Sequence, residues 1–161
     1  MIVAASASAS TQLTPAEASL LRGVTKAKVR VTLDGHADEC GVRKDSLALA
    51  AARPMVDARL TIDEYAVVKI RVGVIALQET IGERSVGCSV ALQLQAVTLA
   101  QDGRLIHQLV KLPEDFVVDV ELWSNAQILA GPESDIGARV SDAVRRARDE
   151  FATKVKMATI K

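Results

Sequence analysis

Residues 86–99 read VGCSVALQLQAVTL. Val86, Cys88, Val90, Leu92 and Leu94 alternate with Gly87, Ser89, Ala91, Gln93 and Gln95. A period of two marks a strand with one face in a core and the other toward water. At Ala96–Val97 two apolar residues adjoin, and this slip of phase predicts a bulge.

The flanking segments extend the sheet. In YAVVKIRVGVIAL, Val68, Ile70, Val72 and Val74 share a face. Ile75 and Leu77 make its far end apolar on both sides, which predicts cover on both faces there. ETIGERSVG reads as a turn-rich link. Upstream, Val29, Val31 and Leu33 alternate with Lys28, Arg30 and Thr32 in a first strand. Downstream, the Asp-Gly of residues 101–104 predicts a hairpin turn, and LIHQLVKL a weaker returning strand. In FVVDVELWSNAQIL, Val118, Val120 and Leu122 are expected on one face, with Asp119, Glu121 and Trp123 on the other.

Helical signals frame these strands. Thr14, Pro15 and Glu17 form a capping-box start, and Gly23 is a stop. A second helix is expected over Asp45–Ala58, capped by Asp45 or Ser46, with Leu47, Ala51 and Met55 in register. Pro54 should bend or shorten it. A long helix starts near Ser134, the expected cap. Ile136, Val140, Val144, Ala147, Phe151 and Val155 form an apolar stripe along it. Arg139, Arg145, Arg146, Arg148, Asp149, Lys154 and Lys156 are assigned to the opposite, solvated face.

The element order is helix, strand, helix, three or four strands, and a long helix. A strand–helix–strand crossover followed by hairpins implies a mixed sheet. The expected class is α/β (α+β): a two-layer sandwich of four to five strands. The long C-terminal helix and the shorter crossover helix lie on one face. Residues 13–161 are read as one domain, a size that needs no metal or disulfide to fold.

Composition narrows the function. Formal net charge is zero, which argues against non-specific polyanion binding. Aromatic residues are 2% of the chain, too few for a stacking site for single-stranded nucleic acid or sugar. No nucleic-acid partner is expected. No apolar run is long enough to span a membrane. No phosphate-loop, dinucleotide, zinc-protease or serine-elbow pattern is present, and no cofactor is called for. Residues 1–12, MIVAASASASTQ, have two readings. One is the remnant of an export signal, with A-x-A cleavage patterns at residues 5–7 and 7–9; the other is a flexible Ala/Ser tail.

The blocks KVRVTL, Cys40-Gly41, Gly87-Cys88, VELWSNAQILAGP and ARVSDAVRRARDEFATK together resemble those of small exported bacterial α/β proteins of unassigned function. The arrangement is similar to envelope accessory domains such as the amino-terminal domain of the Tol-system propeller protein. It covers about residues 20–157. The resemblance implies an exported, non-catalytic domain and carries over no site residues.

Cys40 and Cys88 decide the chemistry. In an exported chain two cysteines usually pair, here closing a loop of about 48 residues. Two separate buried thiols, or a reactive or redox thiol, are the alternatives. The segment DGHADEC, residues 34–40, is the densest polar cluster. A metal there would use His36 and Asp38 with Cys40; a thiol hydrolase would pair Cys40 with His36 or His107. A solvated turn is the plainer reading. Trp123, Arg145 and Arg148 are the candidate contacts for a protein partner, with packing under a helix end the alternative for Trp123. The leading expectation is a periplasmic or secreted binding or assembly domain. A small enzyme using the 34–40 loop and a carrier of an apolar ligand are the rivals. A protein partner, or a homo-oligomer pairing through a strand edge, is also expected.

Overall fold

A computed structural model describes residues 13–53, 59–99 and 119–160. The expected tail, Met55, the 101–104 turn, the LIHQLVKL strand and His107 lie outside the described residues. The elements run α1 (Pro15–Leu21), β1 (Lys26–Gly35), α2 (Lys44–Ala52), β2 (Thr61–Ile62), β3 (Val68–Ile81), β4 (Arg84–Leu99), β5 (Asp119–Gly131) and α3 (Glu133–Thr159).

The five strands form one mixed sheet in the order β2-β1-β3-β4-β5. β1 is parallel to β2 and β3; β3, β4 and β5 are successively antiparallel. α2 makes the β1-to-β2 crossover. The two-residue β2 was not legible as a strand. It sits at the start of β1, where the Asp63 amide donates to the Ala27 carbonyl and Lys26 Nζ lies 2.8 Å from Asp63 Oδ2. Among the described residues, α1 and α2 each pack on α3, and the three helices lie on the same side of the sheet, as the two-layer reading requires.

The inner layer is aliphatic. Ile70, Val72 and Val74 of β3 and Cys88, Val90, Leu92 and Leu94 of β4 are buried, as their alternation predicts. All six residues of the α3 stripe are buried above them. Burying each large aliphatic side chain contributes roughly 1.5–3 kcal/mol, so this layer dominates the fold's stability.

Two bulges alter the expected faces. Ala96 pairs with Trp123 and Val97 with Glu121, leaving Leu122 as the extra residue of β5. Leu122 and Trp123 are therefore both buried, and Trp123 leaves the polar face it shares with Asp119 and Glu121 in a strict alternation. The slip at Ala96–Val97 was readable; its effect on the partner strand was not. A second shift between Glu79 and Thr80 makes Val86 the extra residue of β4, exposed rather than aligned with Cys88. There the expected link is instead strand, closed by a turn at Gly82-Glu83 in which Gly82 takes φ +63°.

The helix ends were partly legible. Thr14 and Glu17 form the full capping box of α1. α2 stops at Ala52, just before Pro54, and has no side-chain cap at its start. α3 starts on Pro132, and Ser134 bonds Asp135 instead of capping.

Arg148 is corrected from the solvated face to the interior. It is only 8% exposed. It lies four residues after Val144 and three before Phe151, on the stripe itself. Its Nη1 donates to the Ala50 carbonyl at 2.8 Å, while Nε and Nη2 bond Asp149 Oδ1. The last carbonyls of a helix lack intrahelical partners, so this side chain satisfies the end of α2 from α3. Arg148→Ala would leave that carbonyl unsatisfied, and should lower unfolding free energy by about 1–3 kcal/mol in chemical denaturation. A loss below about 0.5 kcal/mol, the usual scale of a surface change, would contradict this role.

Candidate functional site

The Cys40–Cys88 disulfide is formed, with the Cα atoms 5.9 Å apart and both residues fully buried. It ties the turn after β1 to the inner face of β4. The same turn rests on α3: a Cβ placed on Gly137 would lie 2.3 Å from the Gly41 carbonyl oxygen. Only a residue without a side chain allows that approach. The Cys40 amide donates to the His36 carbonyl and the Val42 amide to that of Ala37, so the turn is closed by its own backbone.

This geometry bears on the 34–40 loop. The Cys40 sulfur is engaged in the bond and turned into the core. His36 Nδ1 stands 3.7 Å from Glu39 Oε1 on the surface, and Asp38 is exposed. Among the described residues, no three His, Cys, Asp or Glu side chains gather as metal ligands. The structure thus separates His36 and Asp38 from Cys40, which a thiol or metal centre here would have to combine.

The expected partner contacts are also dispersed. Trp123 is 6% exposed, stacks at a tilt on Phe151 with ring centroids 5.5 Å apart, and donates its indole N–H to Glu150. Packing beneath the helix, not surface anchoring, is its place. Arg148 is internal, as described above. Arg145 is exposed and bonds Asp142 one turn back on α3.

The surface that sequence reading missed is the sheet's other face. With the described helices on one side, many outward residues of β1, β3, β4 and β5 are partly or fully exposed. They fall into cross-strand rows. Lys28 neighbours Lys69, and Arg30 neighbours Arg71, which faces Gln95. Next along are Thr32, Gly73, Gln93 and Ala126; then Asp34, Ile75, Ala91 and Ile128. The exposure of Ile75 and Leu77 goes against the expectation of a doubly roofed strand: they are 54% and 60% exposed, and Ile128 84%. Arg30, Thr32, Arg71, Val72, Gly73, Gln93 and Gln95 line a shallow depression of about 230 Å³. Gln95 Nε2 also donates to Glu121 at 2.8 Å. β5 is the edge strand, and near its end Arg139 donates to the Ala130 carbonyl. The signal was present in the sequence as the polar half of each alternation, but only strand order shows which halves adjoin.

Glu133 joins the two ends of this assembly. Ser85 and Gln78 both donate to its Oε1, Gln78 at 2.7 Å, fastening the first turn of α3 to the β3–β4 hairpin. The Ser85 bond first, and the Gln78 bond second, hold its carboxyl below the usual carboxylate range.

Among the described residues no helix is long and apolar enough to cross a membrane. No protein-family model matches the chain, and no curated protein matches it significantly.

Because the folded state keeps Glu133 ionised to lower pH than the unfolded chain does, its contribution is complete above the ordinary value of 4.5. It fades as pH falls through the lowered folded value. Glu133→Gln should therefore lower the denaturation midpoint at pH 7, and the gap to wild type should narrow at pH 3. An equal gap at both pH values would refute the assignment.

Proposed function

We propose that this chain is an exported, non-catalytic binding or assembly domain of a bacterial cell envelope, periplasmic or secreted. The observation that carries the reading is the buried Cys40–Cys88 bond, which links a loop to a central strand. Disulfides of this kind persist in oxidising compartments and are rare in reducing ones. On the chain-entropy account, closing this loop contributes roughly 3–4 kcal/mol. The resemblance of the sequence blocks to small exported proteins supports the same reading.

The working surface in this proposal is the open sheet face. It offers cations, amides and a hydroxyl near one end of β3 and bare aliphatics near the other, groups that hold a ligand. The rigid layer behind them fixes their spacing.

The test is the thiol state of the protein in its own host. Cells are fractionated with an alkylating agent present, and the chain is weighed intact. The expected result is recovery outside the cytoplasm, without alkyl adducts and lighter than the reduced chain by the two thiol hydrogens. Rapid alkylation of both cysteines in freshly trapped protein would contradict export.

A further inference from the structure

Among the described residues the sheet ends in two unlike edges. β2 is two residues long and lies beside the Lys26–Asp63 ion pair. Shortness and charge are the usual protections of an edge against pairing with another chain. β5 runs for 13 residues, and from Leu122 to Gly131 it carries no charged side chain and no proline.

The register shows which backbone groups of β5 face outward. A Cβ placed on Gly87 would lie 2.9 Å from the Gly131 carbonyl oxygen, so Gly131 turns its backbone toward β4. The Ala76 carbonyl accepts from the His36 amide and so points away from β4. The backbone of its β4 neighbour Val90 is therefore directed to Leu129 of β5. Hydrogen-bonding direction alternates along a strand. Ser124, Ala126, Ile128 and Ala130 thus present their amides and carbonyls to the outer edge. The Ala130 carbonyl accepts from Arg139. Among the described residues, Ser124, Ala126 and Ile128 make no backbone hydrogen bond on that side.

Both ends of this open ladder are closed. The extra residue Leu122 bulges the strand at one end, and Arg139 occupies Ala130 at the other. Midway between positions 122 and 130 stands Ala126, so the pairable stretch is symmetric about it. That symmetry selects the occupant. An identical strand laid antiparallel about a two-fold axis at Ala126 brings Ser124 opposite Ile128, Asn125 opposite Gln127, and Ala126 opposite itself. A side chain on the axis meets its own copy, so a charge there would repel, whereas a methyl group does not. Asn125 and Gln127 lie on the helix side, where Asn125 bonds Glu150 and Gln127 bonds Asn125. Their carboxamides both donate and accept, so each can bond the other across the axis.

We infer that β5 pairs antiparallel with β5 of a second copy of this chain, about a two-fold axis at Ala126, joining two five-stranded sheets into one. The outward groups of Ser124, Ala126 and Ile128 then form about six hydrogen bonds between the copies. The axis stands perpendicular to the sheet, so the helices of both copies lie on one side. Pairing of this kind rests on the reading of the chain as an assembly domain and names its partner; it does not depend on export.

The test is sedimentation velocity of the oxidised 161-residue chain over a range of concentrations. The expected result is a monomer–dimer equilibrium with a Kd of roughly 1–100 μM, because so short a ladder buries less than the ~800 Å² per partner of a standard interface. Ala126→Lys should weaken the dimer at least about tenfold by setting like charges opposite each other. Position 126 is exposed, so the denaturation midpoint should not change. An equimolar mixture of the Ala126→Lys and Ala126→Glu chains should restore the dimer, which a general loss of stability would not allow. Cross-linking reads the register. Ala126→Cys should join two copies under mild oxidation, since directly paired residues stand about 5.5 Å apart, within disulfide reach. Ala130→Cys should not, because its own copy lies about 27 Å away. A monomer up to about 1 mM, where even weak pairs form, would overturn the pairing. So would a dimer that Ala126→Lys leaves intact, or equal cross-linking at both positions. A monomer recovered oxidised outside the cytoplasm would end the pairing and keep export; a dimer with alkylated cysteines would do the reverse.

Discussion

The packing of the α3 stripe onto the aliphatic face of β4 and β5 is the constraint on which the other features rest. Ile136, Val140, Val144, Ala147, Phe151 and Val155 share one buried core cluster with Ile70, Val72, Val74, Val90, Leu92 and Leu94. With few aromatic residues, this contact is built almost wholly of small branched side chains, which interlock only at close approach. Phe151 and Trp123 are the exceptions, and they meet each other. The remaining connections hold α3 in position at several points along its length. Gly137 sits on the Cys40–Gly41 turn, Arg148 reaches the end of α2, and Lys154 pairs with Glu17 of α1.

The disulfide acts within that arrangement. It joins the turn after β1 to β4, and the same turn abuts the first turns of α3. The bond therefore fixes the contact between sheet and helix at the end where α3 begins, where Glu133 also meets the β3–β4 hairpin. Such bracing concentrates rigidity behind the open face. Ligand-holding side chains on strands of a braced sheet keep their spacing better than those on loops.

Much of this was legible because periodicity reports burial. The β4 alternation from Cys88 to Leu94, the α3 stripe and the α1 capping box appear in the structure as read. The cysteine pair was also correctly placed. What failed were phase and adjacency. A bulge changes the face of every later residue, so Trp123 and Val86 exchanged the environments that simple alternation assigns them. Arg148 was placed by its charge, although its spacing from Val144 and Phe151 puts it on the buried stripe; a long side chain can reach a helix end from there. The open face was invisible because Arg30 and Arg71 are far apart in sequence and meet only through a parallel pairing. Likewise, the apolar residues Ile75 and Leu77 suggested a second roof, yet both are more than half exposed.

Amide hydrogen exchange with and without the disulfide tests the central claim most directly. With the bond intact, the slowest amides should lie in the middle of β3 and β4 and in α3 from Val140 to Val155. After reduction, exchange should accelerate in residues 36–42 and the first turns of α3 while the centre of β3 and β4 stays protected. Fast exchange along α3 in the oxidised protein would show that the helix does not roof the sheet, and would contradict the account.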